Sequence, residues 1–202
     1  MKLFYAPGAC SLASHIALHE TGLPFAIDKL NVPTKTTSGG DDYMQINPKG
    51  YVPALMLEDG SVLTEGAVIL QYVADQKPDA GLAPKAGTME RYRLQEWLNF
   101  IGTEVHKSYS PLFNKAATDE MKSAARNLLA KRLGYVEAQL ANKPYLMGDS
   151  YTVADIYLFV VLGWSAHVGV DLDPFPQIKS YVARIGARPA VQAAMKAEGL
   201  IK

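Results

Sequence analysis

The hydrophobic rhythm of this chain changes once, between Asp79 and Pro84, and that change dictates a two-part fold. Before it, short apolar runs suited to strands alternate with helical spacings; after it, every periodic stretch is helical. Lys2–Tyr5 reads as a strand. Ser11–Gly22 reads as a helix with Leu12, Ile16 and Leu18 near its core face and Gly22 as its stop. Phe25–Asn31 reads as a second strand, and Val32 to Asn47, with its run Thr36-Thr37-Ser38-Gly39-Gly40, as a polar loop holding at most a short helix. Ala54–Glu58 and Ser61–Thr64 flank Asp59-Gly60, a two-residue hairpin signal, and a helix follows from Glu65 to about Gln76. The order βαβ then ββα implies a mixed sheet with helices packed on it. The expected organisation is therefore an α+β domain over 1–78, a linker over 79–87 and an all-α domain over 88–202.

In Met89–Ser110 the residues Leu94, Trp97, Leu98, Ile101 and Val105 keep a helical period. A turn of about 100° per residue places Asn99, Thr103, His106 and Ser110 on a nearly opposite stripe, polar but uncharged apart from His106. Two readings of that stripe stay open: the wall of a cleft, or a solvent face with a chance histidine. An amphipathic helix is expected from about Asp119 to Ala141. Thr152-Val153-Ala154-Asp155 forms a capping box with Asp in place of Glu, flanked by Tyr151 and Ile156 at staple positions, which makes Asp155 a structural carboxylate. Beyond it Ile156–Trp164 is apolar all round and should be the buried axis of the second domain. Helices near Pro176–Arg188 and Pro189–Glu198, both entered through proline, close the chain.

Charge narrows the partners. Twenty basic residues balance twenty acidic ones, so no global field favours nucleic acid or an anionic membrane surface. No apolar stretch approaches the about 20 residues that span a bilayer, and the N-terminus enters a strand without a signal-peptide pattern. A lone thiol fits a reducing compartment, so a cytoplasmic setting is expected.

That thiol is Cys10, where the first strand turns through Pro7-Gly8-Ala9 into a helix. Free N–H groups and partial positive charge at a helix N-terminus favour a thiolate, so the address suits a reactive cysteine; a buried apolar cysteine is the competing reading. Two segments sharpen the case. In Asn47-Pro48-Lys49-Gly50-Tyr51-Val52-Pro53, Pro53 opens a strand that reads as an edge, and Val52 can offer its N–H and C=O to an added extended peptide. In Leu63-Thr64-Glu65-Gly66, a strand runs into a helix N-terminus. Its N–H groups can receive a carboxylate and Glu65 can pair with an ammonium, which suits the α-amino-acid end of a ligand.

The constellation Tyr5-Ala6-Pro7-Gly8-Ala9-Cys10-Ser11, Asn47-Pro48-Lys49-Gly50 with Val52-Pro53-Ala54-Leu55, Leu63-Thr64-Glu65-Gly66, and Trp97-Leu98-Asn99 with His106-Lys107 resembles the beta-class bacterial glutathione transferases. The resemblance extends over the whole chain, through Thr152–Asp155 to Arg188-Pro189-Ala190-Val191. It implies a thioredoxin-like N-terminal domain, an all-helical C-terminal domain and a homodimer, with glutathione as co-substrate and no metal. It implies further that Pro53 is cis, that Val52 pairs with the cysteinyl backbone of glutathione, and that Glu65 and Gly66 hold the γ-glutamyl end. Lys35 and Asn99 would take the rest of the tripeptide, Thr103 and Lys107 would join the glutathione site, and Glu104 would reach the partner subunit's ligand.

Glutathione is mostly protonated at neutral pH, so a transferase gains rate by stabilising its thiolate beside an electrophile. Cys10, Ser11, Tyr5 and His106 are the expected catalytic groups, with His106 as base or as orienting group. Ala6, Tyr109, Phe113, Trp164 and His167 are expected to line a pocket for a small hydrophobic electrophile, although the aromatic ones could equally be core. A glutaredoxin-like reductase relying on Cys10 and a non-catalytic ligand-binding protein of the same fold remain as alternatives. A metal site is not expected: His15 and His19 stand four apart, but no Glu follows His15 and no third ligand is evident, so they read as a surface pair.

Overall fold

The computed structural model describes all residues, Met1–Lys202, and divides into two compact units. The first comprises Met1–Gly81 together with Ala187–Lys202, and the second Leu82–Gly186. Its sheet has the order β2-β1-β3-β4, from β1 (Lys2–Tyr5), β2 (Ala26–Lys29), β3 (Ala54–Met56) and β4 (Val62–Thr64). β1 pairs parallel to β2 and antiparallel to β3, with Phe4 opposite Ala54 and Leu3 opposite Leu55. Because side chains alternate across a strand, that register sorts the core into two layers. Phe4, Ala54, Leu30 and Tyr43 pack together, the last from the short helix α2 (Tyr43–Ile46). Leu3 and Leu55 are equally buried, as are Ile16 and Leu18 of α1 (Ser11–Thr21) and Ile69, Leu70 and Val73 of α3 (Gly66–Gln76). Gly22 closes α1 in the left-handed conformation, the stop read from sequence.

Three expectations change here. β3 is an interior strand, so Pro53 is no edge proline. It sits just before the first paired residue, where a missing N–H interrupts no ladder, and the Val52-Pro53 bond is cis. The hairpin turn is longer than Asp59-Gly60: Gly60 N–H bonds Leu57 C=O, Leu57 N–H bonds Ser61 C=O, and Gly60 has φ 82°. That is the three-residue loop with a left-handed glycine. Finally, the closing helix does not join the second unit. α10 (Pro189–Ala197) packs on α1, where the Arg188 guanidinium grips Glu20 through two bonds of 2.7 and 3.0 Å.

The second unit is built around α7 (Val153–Gly163), whose residues Val153 to Leu162 are all buried. α4 (Met89–Phe100), α6 (Asp119–Gln139) and α9 (Pro176–Gly186) belong to the same unit; α8 is the short turn Ser165–Val168. The helix expected as continuous from Met89 widens over Ile101–His106 into a π-helix and resumes as α5 (Lys107–Phe113). Such widenings recur at functional sites, and this one carries Thr103, Glu104 and His106. The capping box forms as expected, with Asp155 fully buried. No helix is long and apolar enough to cross a membrane.

Candidate active site

In the first unit the turn between β1 and α1 is closed by Ala9 N–H on Ala6 C=O at 3.0 Å, with Gly8 at φ 70°. Ser11 is fully buried. Its hydroxyl accepts from Ala6 N–H and donates to Ala6 C=O, each at 3.2 Å, so it shapes the turn. Ala6 is itself buried beneath it. Cys10 then caps α1 with a half-buried thiol that donates to Val52 C=O at 3.3 Å. Residues 42 apart thus meet, and the meeting joins the thiol to the backbone that stands free of the sheet just ahead of β3. Val52 is steadied from behind: Asn47 and Tyr43 both donate to Tyr51 C=O, at 2.8 and 2.7 Å. Lys35, in the left-handed conformation, sends its ammonium to Gly50 C=O at 2.9 Å.

Glu65 caps the N-terminus of α3 at φ 67°, a strained value for a residue with a side chain. Its carboxylate is exposed and pairs with Lys49. Gly66 follows as the first residue of the helix. Tyr5 is buried; its phenol is held above its usual range by burial first, then by Glu198 and Asp28, so it stays protonated.

The sequence reading missed a buried device behind this turn. Glu198, just past α10, accepts from Gly8 N–H at 2.9 Å and faces His15 Nδ1 at 2.9 Å, with both side chains essentially inaccessible. His15 is therefore no surface residue. Its ring stacks on His19 at 5.0 Å, and Phe25 meets both edge-on. The partners lie 183 positions apart, so local spacing held no signal for the contact. The aromatic packing has a cost for His19, whose pKa is lowered by burial and then by His15.

In the second unit His106 is part-buried, its Nδ1 2.7 Å from Tyr157 OH and its ring edge-on to Trp164 at 4.8 Å. Burial, then Lys107, pushes its pKa down to about 4, so the imidazole is neutral across the physiological range and a weak base. Trp164 also meets Tyr109 and Phe113 edge-on, both at 5.8 Å. The expected pocket residues separate accordingly. Tyr109 is fully buried, its hydroxyl 2.6 Å from Ser165 Oγ and its pKa raised to about 12 by burial, so it packs in the core. Phe113 and His167 are exposed, Trp164 half so.

Of the expected glutathione contacts in this unit, Asn99 and Thr103 are exposed and joined by Thr103 Oγ on Asn99 C=O at 3.0 Å. Thr103, Glu104 and Lys107 line a hollow of about 510 Å³ with Pro111 and Leu128. Glu104, which the resemblance directs to the partner subunit's ligand, forms an ion pair within its own chain with Arg132 of α6. No group of three or more His, Cys, Asp or Glu side chains is placed to hold a metal ion.

The family description "Glutathione S-transferase, N-terminal domain" matches residues 8–76, and "Glutathione S-transferase, C-terminal domain" matches residues 100–189. Glutathione S-transferase GstA of Escherichia coli O157:H7 is 46% identical over 99% of this chain and 100% of its own. The chain belongs to the glutathione S-transferase family. Its beta-class character follows from the solved beta-class transferase of Sphingomonas chungbukensis, 52% identical with a TM-score of 0.97 over all of both chains. A sphingomonad transferase complexed with glutathione is 49% identical, with a TM-score of 0.96, again over all of both chains. This transferase therefore has the mixed-sheet N-terminal domain and helical C-terminal domain of that fold, and its reaction uses glutathione.

Proposed function

We propose that the transferase docks glutathione along the Cys10, Val52 and Glu65 side of its first unit and joins the peptide's sulfur to small hydrophobic electrophiles, with thiol–disulfide exchange at Cys10 as a second activity. The observation that carries this reading is the 3.3 Å contact between Cys10 Sγ and Val52 C=O. A cysteinyl residue that pairs through its backbone with Val52 brings its sulfur to the protein thiol. The carbonyl has a second lone pair for that pairing. Glu65 then receives the ammonium of the γ-glutamyl end, the N-terminus of α3 at Gly66 its carboxylate, and Lys35 the far end of the tripeptide. His106 enters the reading as a neutral hydrogen-bonding group, because burial lowers its pKa to about 4 and leaves the imidazole uncharged and only weakly basic at neutral pH.

Glu65→Ala removes the acceptor of a charge-assisted bond and is expected to weaken glutathione binding by about 1.5–3 kcal/mol. Calorimetric titration reads this directly, and an unchanged affinity would remove Glu65 from the site. The Glu65 side chain is 66% exposed, so the variant keeps its fold.

A homodimer completes the reading. Val68 of α3, Met89 and Tyr92 of α4, and Tyr135 of α6 are large apolar residues 45% to 65% exposed, a distribution that favours burial against a second copy. Sedimentation at micromolar concentration is expected to give twice the 22.0 kDa of one chain; a single-chain species contradicts it. A free cysteine further fits a cytoplasmic setting, and a periplasmic location found by cell fractionation would oppose it.

A further inference from the structure

We propose that Lys49 is a specificity-determining contact for the ligand's α-carboxylate, so that Glu65 and Lys49 together form a receptor for an amino-acid zwitterion. The inference rests on the reading that the γ-glutamyl end of glutathione docks at Glu65. Lys49 Nζ lies 2.6 Å from Glu65 Oε1 and 3.0 Å from Thr64 Oγ1. The two charged side chains are 53% and 66% exposed. An ion pair this open to water contributes little to stability, so opening it costs little. A zwitterion that enters gives its ammonium to Glu65 and its carboxylate to Lys49, and one weak pair becomes two.

Local structure holds Lys49 ready for this exchange. Its N–H donates to Asn47 Oδ1 at 3.2 Å, Gly50 N–H closes the turn on Asn47 C=O at 2.8 Å, and Gly50 supplies the φ of 68°. Asn47 is buried and anchored to Tyr51 C=O, so the lysine stem rises from a fixed base. Thr64 Oγ1 keeps the ammonium in place when Glu65 turns to the ligand. Position 66 offers the carboxylate no side-chain donor, although a Cβ there would meet only Pro53, at 3.6 and 3.8 Å. What remains for that carboxylate is the backbone at the start of α3 and the Lys49 ammonium.

Glutathione and two analogues separate the possibilities when titrated into the wild type, Lys49→Met, Lys49→Arg and Glu65→Gln. One analogue, γ-aminobutyryl-cysteinyl-glycine, lacks the α-carboxylate; the other, glutaryl-cysteinyl-glycine, lacks the α-ammonium. Lys49→Met is expected to raise the Kd and KM for glutathione about tenfold with kcat unchanged, and Lys49→Arg to recover most of the loss. The penalty should vanish for the analogue without the carboxylate and persist for the analogue without the ammonium. Unchanged or tighter glutathione binding by Lys49→Met, or an equal penalty on both analogues, overturns the proposal; tighter binding would mean that Lys49 merely competes with the ligand for Glu65. If Glu65→Gln weakens glutathione and Lys49→Met does not, the docking reading stands without this inference. If Glu65→Gln changes nothing, the docking reading itself fails.

Discussion

Cys10→Ala is expected to abolish reaction with disulfides and to leave conjugation measurable, weakened by no more than about a hundredfold. Exchange requires a protein sulfur. The Cys10 thiolate attacks one sulfur of oxidised glutathione, the glutathione disulfide bond breaks, a Cys10–glutathione disulfide forms and one glutathione thiolate leaves. A glutathione thiolate then attacks the glutathione sulfur of that mixed disulfide, the bond to Cys10 breaks, oxidised glutathione forms and Cys10 leaves as its thiolate. This chain has one cysteine, so nothing replaces it. Conjugation instead uses the ligand's own sulfur. The N-terminal dipole of α1, held in register by the Ser11–Ala6 bonds, still stabilises that thiolate when Cys10 is gone. Mass spectrometry of the wild type after oxidised glutathione should find one adduct, on Cys10, and the variant none. Equal loss of both activities in a variant that still binds glutathione would make Cys10 part of the conjugation machinery. Retained disulfide reaction would contradict the assignment outright.

Asp155→Ala is expected to destabilise the fold by about 3–5 kcal/mol, a large share of the about 5–15 kcal/mol typical of a domain. One carboxylate oxygen accepts from Leu146 N–H at 2.9 Å and Tyr181 OH at 3.0 Å; the other accepts from Thr152 N–H at 2.8 Å and its hydroxyl at 3.1 Å. All of this lies at the buried start of α7. Truncation strands the Leu146 and Thr152 N–H groups away from water, takes the acceptor from the Thr152 hydroxyl and leaves the Tyr181 phenol only the Asp155 C=O, at 3.3 Å. Asp155→Asn keeps one acceptor oxygen and should lose about half as much. Denaturant unfolding measures both, and a loss below about 1 kcal/mol for Asp155→Ala would show that the network relaxes onto other acceptors. Burial raises the carboxyl above its usual range against the pull of its donors. With the folded-state pKa the higher one, the folded form takes up the proton first on acidification, so this group opposes acid unfolding.

The elements were legible because their signals are local. The short apolar run in Lys2–Tyr5, the all-round apolar run after Asp155 and the stop at Gly22 each depend on a few neighbours, and each element stands where its residues place it. Strand order is not local. Pro53 reads as an edge proline because nothing nearby reveals that β4 folds back and makes β3 interior. The same limit hid the Glu198–His15 contact, the docking of α10 on the first unit and the pairing of Glu104 with Arg132. At Tyr109 helical spacing gives the face but not the depth, and the side chain that could have lined a pocket is core. Lys49 lies within the Asn47-Pro48-Lys49-Gly50 turn, yet only the fold brings it within 2.6 Å of Glu65.

The central claim is that glutathione lies along the Cys10, Val52 and Glu65 side of the first unit. Titration of the ¹⁵N-labelled protein with reduced glutathione, followed by amide chemical shifts, tests it most directly. The largest and saturable changes should fall at Cys10, Val52, Glu65, Gly66 and Ala67, with a common Kd, and should disappear at Glu65, Gly66 and Ala67 first when the γ-glutamyl end is removed. Saturable shifts that leave Val52 and Gly66 unmoved would contradict the account.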